Sequence, residues 1–259
     1  MKNVPIIIGG FYRSGTSLVR RLLDSHTNIH CPPEIKWFKD FYSNYLNDEL
    51  AHVRFFKTVR FMGLSEDELL DIYGQAYIKS RDLACVKLGK MRWADKNPEN
   101  VLYLKQWEKM LNGEMIFLYV VRNPLDSLAS LNEVGFKKAV PVEFEKKVQL
   151  FKEYYSSALD YLGLHKDKCI VLKYEELVSR PEEALKQLTQ AIDEAYELSM
   201  LTNYASPMRQ EGIEDPKVIK TDGVHDFSVG RWVSDLSEYQ VGICRKELAP
   251  FFDYFDYDF

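Results

Sequence analysis

Short apolar runs alternate with longer amphipathic stretches along the 259 residues of this chain. The first run, residues 4–8, is rich in isoleucine and is followed by Gly9 and Gly10, which predicts a buried strand. After a Ser/Thr-rich turn, an apolar pattern at helical spacing begins at Leu18. Residues 115–121 form an unbroken apolar run, which is typical of a strand covered on both faces of a parallel sheet.

Further segments continue the alternation of strands and helices. Residues 27–31 and 169–172 are predicted strands, and residues 142–162 form a long amphipathic pattern that predicts a helix. Strands that alternate with helices favour a parallel sheet with right-handed crossovers. The expected fold class is therefore α/β, a three-layer sandwich with a central parallel sheet and helices on both faces. We expect one domain over residues 1–259.

Three segments interrupt this pattern. Residues 37–85 are rich in Phe, Tyr and Leu at helical spacing, which predicts a helical cap inserted into the domain. Residues 93–98 are expected to form a loop in which Asn97 caps a helix that has Pro98 at its first position. Residues 207–232 contain many Gly, Asp, Pro and Lys residues, which predicts an irregular, mobile loop.

Composition narrows the range of partners. The formal net charge is −5, so no global basic field attracts nucleic acid and any anion site must be local. No apolar run is long enough to cross a membrane, and the first strand follows the N-terminus too closely for a signal peptide. The four cysteines are far apart, with no CxxC and no His at ligand spacing, which indicates reduced thiols. We expect a cytoplasmic protein that binds neither nucleic acid nor membrane.

The turn after the first strand has the features of an anion site. Backbone N–H groups and the positive end of a helix dipole point into such a turn. The spacing from Gly10 to Ser17 fits a Walker A loop, except that Thr16 stands where the phosphate-binding lysine belongs. We expect a P-loop-like fold in which Arg13 supplies the charge. The loop consists of Arg13, Ser14, Gly15, Thr16 and Ser17.

A second junction between a strand and a helix also contains an arginine. Arg122 follows the run at residues 115–121, and Ser130 lies two helical turns further on. Ligands of parallel sheets bind at the carboxyl ends of the strands. Arg13 and Arg122 are therefore expected to converge on one edge, one for each of two anionic groups, and a guanidinium suits a tetrahedral oxyanion better than a lysine does. Considered alone, Arg122 fits a helix cap or a surface ion pair better than an anion site.

Together the two junctions resemble the nucleotide signatures of sulfotransferases that use 3′-phosphoadenosine 5′-phosphosulfate (PAPS). In that family the first loop cradles the 5′-phosphosulfate, and the resemblance assigns the 3′-phosphate to Arg122 and Ser130. A late segment resembles the Gly-x-Trp segment that lies beside the nucleotide in this family. It comprises Gly230, Arg231 and Trp232. The resemblance extends from residue 4 to about residue 232 and implies PAPS as co-substrate.

Within the family the chain is most similar to the tyrosylprotein-sulfotransferase-like branch, which places the catalytic base at Glu34 and a lysine near the leaving group at Lys96. The chemistry agrees, since in-line displacement needs one general base for the acceptor hydroxyl and positive charge for the leaving phosphate. Lys96, Arg13 and the loop amides would supply that charge without a metal. His26 and His30 are rival candidates for the base.

The acceptor is expected to be a hydroxyl, or less readily an amine, of a small molecule or carbohydrate. Lys36 occupies a position where the branch is expected to have arginine, and the predicted cap is short, which weighs against a peptide acceptor. Lys220 and Arg231 are alternative contacts for the 3′-phosphate. Aromatic residues of the cap fit either a pocket wall or core packing. They are Trp37, Phe38, Phe41, Tyr42 and Tyr45.

Two other classes of protein remain open. A P-loop kinase or NTPase with a degenerate Walker A loop would need a loop lysine and an acid that holds Mg²⁺, and Thr16 counts against it. The second class is a nucleotide-binding module without catalysis, and the presence of Glu34 and Lys96 argues weakly against it. The chain shows no carboxylate or histidine cluster at metal-ligand spacing, so no metal is expected.

Overall fold

A central parallel sheet organises the computed structural model, which describes residues 3–38, 58–134, 140–205 and 223–258. The strand order within these residues is β2-β3-β1-β4-β5, and every neighbouring pair is parallel. The predicted parallel sheet is thereby confirmed. Its strands are β1 Ile6–Gly10, β2 Ile29–His30, β3 Arg92–Lys96, β4 Ile116–Val121 and β5 Cys169–Lys173.

Helices cover both faces of this sheet. One 3₁₀ turn, Pro98–Leu102, follows β3, and another, Lys166–Lys168, precedes β5. The described helices are α1 Thr16–Asp24, α2 Glu66–Leu88, α3 Leu104–Met110, α4 Pro124–Val134, α5 Phe144–Leu164, α6 Tyr174–Ser179, α7 Pro181–Ala191, α8 Ser199–Thr202, α9 Trp232–Asp235 and α10 Glu238–Phe255.

The core consists of two large buried clusters, one on each side of the sheet. Alternate residues of a strand point to opposite faces, so Ile7 joins α5 and α10 in one cluster, while Ile6 and Ile8 join α1, α6 and α7 in the other. Strands buried on both sides account for the continuous apolar runs in the sequence. The three-layer α/β sandwich is confirmed.

The prediction of a loop over residues 93–98 was wrong, because β3 occupies most of this segment. Its polar side chains are buried, and each forms hydrogen bonds to specific partners, although Nη2 of Arg92 has none among the described residues. Arg92 donates from Nε to the Val4 carbonyl at 2.8 Å, and Asp95 accepts from the Tyr77 hydroxyl at 2.6 Å. A search for apolar runs does not detect a central strand of this kind.

The predicted cap and late loop are described only in part. Within the cap, α2 confirms a long helix, which begins at a capping box formed by Ser65 and Glu68 and ends at Gly89 with φ of 67°. The remainder of the cap, residues 39–57, lies outside the described residues, as do residues 206–222 of the late loop.

The four cysteines, all within the described residues, carry free thiols, as expected. Three of them are buried and Cys169 is partly buried. Burial raises the pKa of Cys31 to about 12, so this thiol stays protonated and unreactive near neutral pH. None of the helices described is long and apolar enough to span a bilayer.

Candidate active site

The loop between β1 and α1 has the backbone of an anion-binding turn. Arg13 and Gly15 adopt positive φ angles of 66° and 95°, and no side chain caps the N-terminus of α1. A Cβ at Gly15 would lie 2.4 Å from the Tyr174 ring, so only glycine fits this position. Ser14 stabilises the turn by donating from Oγ to the Phe11 carbonyl at 2.7 Å. The first N–H groups of α1 therefore suit an anion.

The structure brings together the two junctions that the sequence predicted to converge. They follow β1 and β4, which are adjacent in the sheet. Arg13 donates from Nε to Ser130 Oγ at 3.0 Å, and Arg122 donates from Nη1 to the Arg13 carbonyl at 2.8 Å. The arginine of each junction thus contacts the other junction. An anion bound at either loop would therefore lie close to both arginines.

Arg122 is buried and held by several contacts. Its Nη2 donates to the Ser228 carbonyl at 2.6 Å, and its guanidinium carbon lies 4.5 Å from the centroid of the Tyr174 ring. Burial lowers the pKa of Arg122, but a guanidinium remains charged near neutral pH. Its buried Nε has no hydrogen-bond partner among the described residues. That N–H and the uncapped end of α1 are the donors an anionic ligand would satisfy.

The late segment predicted to lie beside the nucleotide is attached to this second junction. Asp126, in the first turn of α4, accepts from the backbone N–H of Gly230 at 2.8 Å and of Trp232 at 3.0 Å. Arg231 instead directs its Nη2 to Glu133 at 2.9 Å and to Asp235 at 2.5 Å. Its charge is therefore compensated by carboxylates here. Lys220, the alternative contact, lies outside the described residues.

Glu34 and Lys96 form an ion pair that reaches the anion loop. Lys96 lies at the C-terminal end of β3 with its side chain buried. Its Nζ donates to Glu34 Oε1 at 2.5 Å and to Ser17 Oγ at 3.0 Å. Thr16, next to Ser17, is buried in the first turn of α1. The candidate base, a buried cation and the anion loop are thus in continuous contact.

A second carboxylate, which the sequence analysis missed, lies close to this pair. Glu99 accepts from the Tyr12 hydroxyl at 2.6 Å, and Lys36 Nζ lies 3.4 Å from Glu99 Oε1 and 3.1 Å from Glu34 Oε2. Asn97 is the N-cap residue of the 3₁₀ turn that begins at Pro98, where the sequence predicts a helix. Its side chain makes no capping hydrogen bond, and its Oδ1 instead accepts from the Lys36 N–H at 3.3 Å. The only signal for Glu99 in the sequence is its position three residues after Lys96.

A cleft of about 190 Å³, open to solvent, lies beside Glu99 and Lys36. Its aromatic wall is the stacked pair of Phe38 and Tyr103, with ring centroids 4.7 Å apart. Of the predicted pocket aromatics, Phe38 therefore lines the cleft, whereas Trp37 stacks on Tyr77 at 5.3 Å. Phe41, Tyr42 and Tyr45 lie outside the described residues. The lining residues are Lys36, Phe38, Asn97, Glu99, Asn100 and Tyr103.

The two rival histidines do not join this cluster. The ring of His26 is buried at the end of α1, where Nδ1 accepts from the Asn28 N–H at 3.0 Å and Nε2 lies 2.8 Å from the Ala195 carbonyl. Both ring nitrogens are thus engaged, which leaves His26 no site for a substrate proton. His30 has its Nδ1 3.5 Å from an oxygen of Asp24.

The arrangement suits transfer of an anionic group to a nucleophile that must lose a proton. Donors and guanidinium groups gather at the carboxyl ends of β1 and β4, and a carboxylate paired with lysine lies beside them. The part of the chain that the structure describes contains no group of three or more His, Cys, Asp or Glu residues able to hold a metal ion.

Comparison with known proteins identifies related chains. A model of the sulfotransferase family matches residues 5–197. The Drosophila melanogaster protein named protein-tyrosine sulfotransferase is 23% identical over 99% of this chain, which spans only 52% of that protein. A Caenorhabditis briggsae relative with a name of the same kind is 22% identical, over 98% of this chain and 89% of its own length.

Solved structures show the same fold. The sulfotransferase domain of the Synechococcus PCC 7002 olefin synthase aligns with a TM-score of 0.67 at 16% identity. The alignment covers 100% of this chain and 97% of that domain. The arrangement of strands and helices around the candidate site is therefore shared with a sulfotransferase of distant sequence.

Proposed function

This chain belongs to the sulfotransferase family, and we propose that it transfers the sulfuryl group of PAPS to a hydroxyl with Glu34 as general base. One observation carries the proposal: Lys96 contacts both Glu34 and Ser17. A base, a cation for the leaving group and an anion loop must be adjacent for in-line transfer, and these three residues meet that requirement.

The donor would bind across the two junctions. The uncapped N-terminus of α1 and Arg13 suit the 5′-phosphosulfate. Arg122, with its unpartnered Nε, and Ser130 suit the 3′-phosphate. The N-terminal N–H groups of α1 and the buried Nε of Arg122 fit such a ligand, which would supply an activated sulfuryl group when bound. Residues proposed to hold it are Arg13, Ser14, Gly15, Thr16, Ser17, Arg122, Ser130, Gly230 and Trp232.

Arg231 is the weakest member of the proposed nucleotide set. Its guanidinium pairs with Glu133 and Asp235, so it would have to exchange those carboxylates for a phosphate. The backbone N–H groups of Gly230 and Trp232 hold the late segment against Asp126 independently of that side chain. We therefore propose that Arg231 contributes through the placement of this segment, next to Arg122.

Glu34 accepts the proton that the acceptor hydroxyl loses as its oxygen bonds to sulfur, while the bond from sulfur to the bridging phosphate oxygen breaks. Negative charge develops on that oxygen. Lys96, Arg13 and the loop amides stabilise the charge at fixed positions, so little reorganisation is needed during the reaction. Lys96 lies between Glu34 and the loop, so it can move from the carboxylate towards the developing charge without leaving the site.

A phenolic hydroxyl is the acceptor that we propose first. A tyrosine phenol has a pKa of about 10, so a carboxylate removes its proton more readily than that of an aliphatic alcohol. The names of the fly and nematode relatives support a protein tyrosine. A small-molecule or carbohydrate hydroxyl is the second candidate, because the cleft of about 190 Å³ beside Glu99 is small.

Calorimetric titration with adenosine 3′,5′-bisphosphate tests the donor site, compared with ATP plus Mg²⁺ on wild type and Arg122→Ala. Metal-independent binding that Arg122→Ala weakens by about 100-fold is expected. Binding of ATP only with Mg²⁺ would overturn the proposal and favour a P-loop kinase.

Transfer of radiolabelled sulfuryl from PAPS then tests the acceptor. The acceptors are a tyrosine peptide with acidic flanks, its phenylalanine counterpart as control, 2-naphthol and a glucosamine oligosaccharide. Labelling of the tyrosine peptide alone supports a protein acceptor. Labelling of 2-naphthol or the oligosaccharide alone supports a small molecule or carbohydrate. Glu34→Gln should abolish transfer while leaving adenosine 3′,5′-bisphosphate bound.

A further inference from the structure

Lys36 lies between two carboxylates in a largely buried cluster. Its Nζ is 3.1 Å from Glu34 Oε2 and 3.4 Å from Glu99 Oε1, and the exposed fractions of the Lys36, Glu34 and Glu99 side chains are 18%, 12% and 8%. At this burial an uncompensated charge is expensive, unlike the charge of a surface ion pair. How the Lys36 charge is shared between Glu34 and Glu99 therefore affects whether Glu34 can accept a proton.

Tyrosine hydroxyls fix the orientation of Glu99. The Tyr12 hydroxyl donates to Glu99 Oε1 at 2.6 Å, and the Tyr154 hydroxyl donates to that of Tyr12 at 3.4 Å. Burial, and next to it the charge of Glu99, raise the pKa of Tyr12 far above its ordinary value. The phenol therefore keeps its proton wherever carboxylates titrate, and it donates to Glu99 throughout that range.

The backbone of Lys36 is fixed, so its ammonium is the part that can move. Lys36 has a φ of 38°, and its N–H donates to Asn97 Oδ1 at 3.3 Å. Burial alone lowers the pKa of Lys36, but Glu99 and Glu34 outweigh this effect and raise it. Lys36 is therefore a cation that a small rotation of its side chain directs to either carboxylate.

We propose that Glu99 is a positioning residue for the transfer reaction: it shares Lys36 with Glu34 and keeps that cation paired when Glu34 accepts the acceptor proton. This inference rests on the proposed role of Glu34. Before the transfer, Lys36 and Lys96 each contact one oxygen of Glu34. Once Glu34 is neutral, Lys36 would lose its counter-charge if Glu99 were absent. Glu99 thereby frees one oxygen of Glu34 for the acceptor hydroxyl.

Other charged or titratable groups face this cluster and are unchanged in Glu99→Gln and Lys36→Met. Lys96 approaches from β3, Tyr12 from the loop after β1 and Tyr154 from α5. Tyr103, after the 3₁₀ turn, lines the same cleft. Asp95 is linked to Lys36 through Asn97.

Carbon-13 NMR of protein with labelled glutamate carboxyl carbons measures this effect without an acceptor. The Glu34 signal is assigned by its absence in Glu34→Gln. If Glu99 shares Lys36, Glu99→Gln lowers the titration midpoint of Glu34 by about one pH unit, a tenfold change in the equilibrium. Lys36→Met raises the midpoint, and in that background Glu99→Gln has less than a third of its former effect.

Tyr12→Phe provides a second variant, which serves also if Glu99→Gln fails to fold. Loss of the phenol donor draws Lys36 towards Glu99, so the Glu34 midpoint is expected to rise, opposite to the effect of Glu99→Gln. The matched control is Glu108→Gln, which removes a carboxylate 4.0 Å from Lys168 at the other edge of the sheet and should leave Glu34 unchanged.

An unchanged titration midpoint of Glu34 in Glu99→Gln overturns the inference. A shift of equal size when Glu99→Gln is made in the Lys36→Met background also overturns it, because direct repulsion between the Glu99 and Glu34 carboxylates would then explain the shift. Calorimetry with adenosine 3′,5′-bisphosphate on the same samples separates this failure from that of the proposed function. If wild type does not bind the bisphosphate, the proposed function fails. If wild type binds it and Glu99→Gln leaves the Glu34 midpoint unchanged, only the role of Glu99 fails.

Discussion

Arg122 donates a hydrogen bond from Nη1 to the main-chain carbonyl of Arg13 at 2.8 Å. The side chain proposed for the 3′-phosphate therefore also holds the loop proposed for the 5′-phosphosulfate. Arg13 has a positive φ of 66°, a conformation that L-residues adopt at a cost and that neighbouring contacts must stabilise. The two halves of the proposed nucleotide site are thus mechanically coupled.

Replacing Arg122 is expected to weaken both halves. Arg122→Ala removes the hydrogen-bond donors to Arg13 and Ser228 together with the positive charge. The dissociation constant of adenosine 3′,5′-bisphosphate should therefore rise by about 100-fold. A change of this size corresponds to the loss of one to two hydrogen bonds from a charged group. Calorimetry at constant salt measures this. Arg180→Ala, which removes an exposed partner of Glu183, is the control. Wild-type affinity in Arg122→Ala would contradict the assignment.

Alanine at Gly15 is expected to damage the site in a way that alanine at Gly63 does not. Both glycines have a positive φ, 95° and 87°. A Cβ at Gly15 would meet the Tyr174 ring at 2.4 Å, whereas no atom of the described residues would lie within 4 Å of a Cβ at Gly63. Gly63→Ala should cost about 1 kcal/mol of unfolding free energy through backbone strain alone. Gly15→Ala should cost about 2–4 kcal/mol and also weaken bisphosphate binding.

Chemical denaturation and calorimetry on both glycine variants distinguish these effects. Equal losses of stability would mean that the Tyr174 ring moves aside without cost. Unimpaired binding by a folded Gly15→Ala protein would show that the backbone of this turn does not contact the ligand.

Local patterns predicted four of the five described strands and the two junctions, because each of these depends on residues close in sequence. An apolar strand that runs into a Gly/Ser-rich turn predicts β1 and its loop, and the run before Arg122 predicts β4. Since both strands are parallel and adjacent, the meeting of their carboxyl ends follows from topology. The sequence therefore predicts which edge of the sheet carries the candidate site.

The sequence could not predict interactions that depend on contacts between distant residues. Glu99 and Lys36 are 63 positions apart and meet because the segment after β2 packs across the end of β3. β3 itself was not recognised, because Arg92, Asp95 and Lys96 interrupt its apolar pattern. Each of these side chains has a hydrogen-bond partner that is distant in sequence. Periodicity gives no information about which buried polar group has a partner elsewhere in the chain.

Loss of the Lys96 ammonium is expected to slow transfer more than it weakens donor binding. Lys96→Met keeps most of the side-chain volume but removes the cation beside Ser17 and Glu34. We expect kcat to fall by about 100- to 1,000-fold, while the dissociation constant of adenosine 3′,5′-bisphosphate changes by less than about tenfold. Single-turnover assays with labelled PAPS and the tyrosine peptide measure the rate.

The matched control for Lys96→Met is Lys168→Met. Lys168 donates to the Gly113 carbonyl at 2.9 Å, at the edge of the sheet away from the site, so its loss should leave the transfer rate unchanged. If Lys96→Met lowers kcat and the affinity for the bisphosphate by the same factor, Lys96 binds the nucleotide without favouring the transition state.

Glu197 is expected to contribute to stability only above acidic pH. The Thr27 N–H donates to its Oε2 at 2.9 Å, and the Thr27 hydroxyl donates to its other oxygen, which connects the chain after α7 to the end of α1. Burial by itself raises the pKa of Glu197, but these bonds and the nearby His26 outweigh burial and lower it. A lowered carboxylate pKa stabilises the fold above the unfolded-state value and loses this contribution as pH falls through the folded-state value.

Glu197→Gln should therefore reduce the free energy of unfolding by about 1 kcal/mol at pH 7, and the difference from wild type should shrink as the pH falls through the folded-state pKa. Urea denaturation at a series of pH values measures it. Glu183→Gln, at an exposed carboxylate paired with Arg180, is the control and should have a smaller effect. A deficit that is the same at every pH would mean that Glu197 stabilises the fold by shape and neutral hydrogen bonding, since only the ionised carboxylate makes the contribution depend on pH.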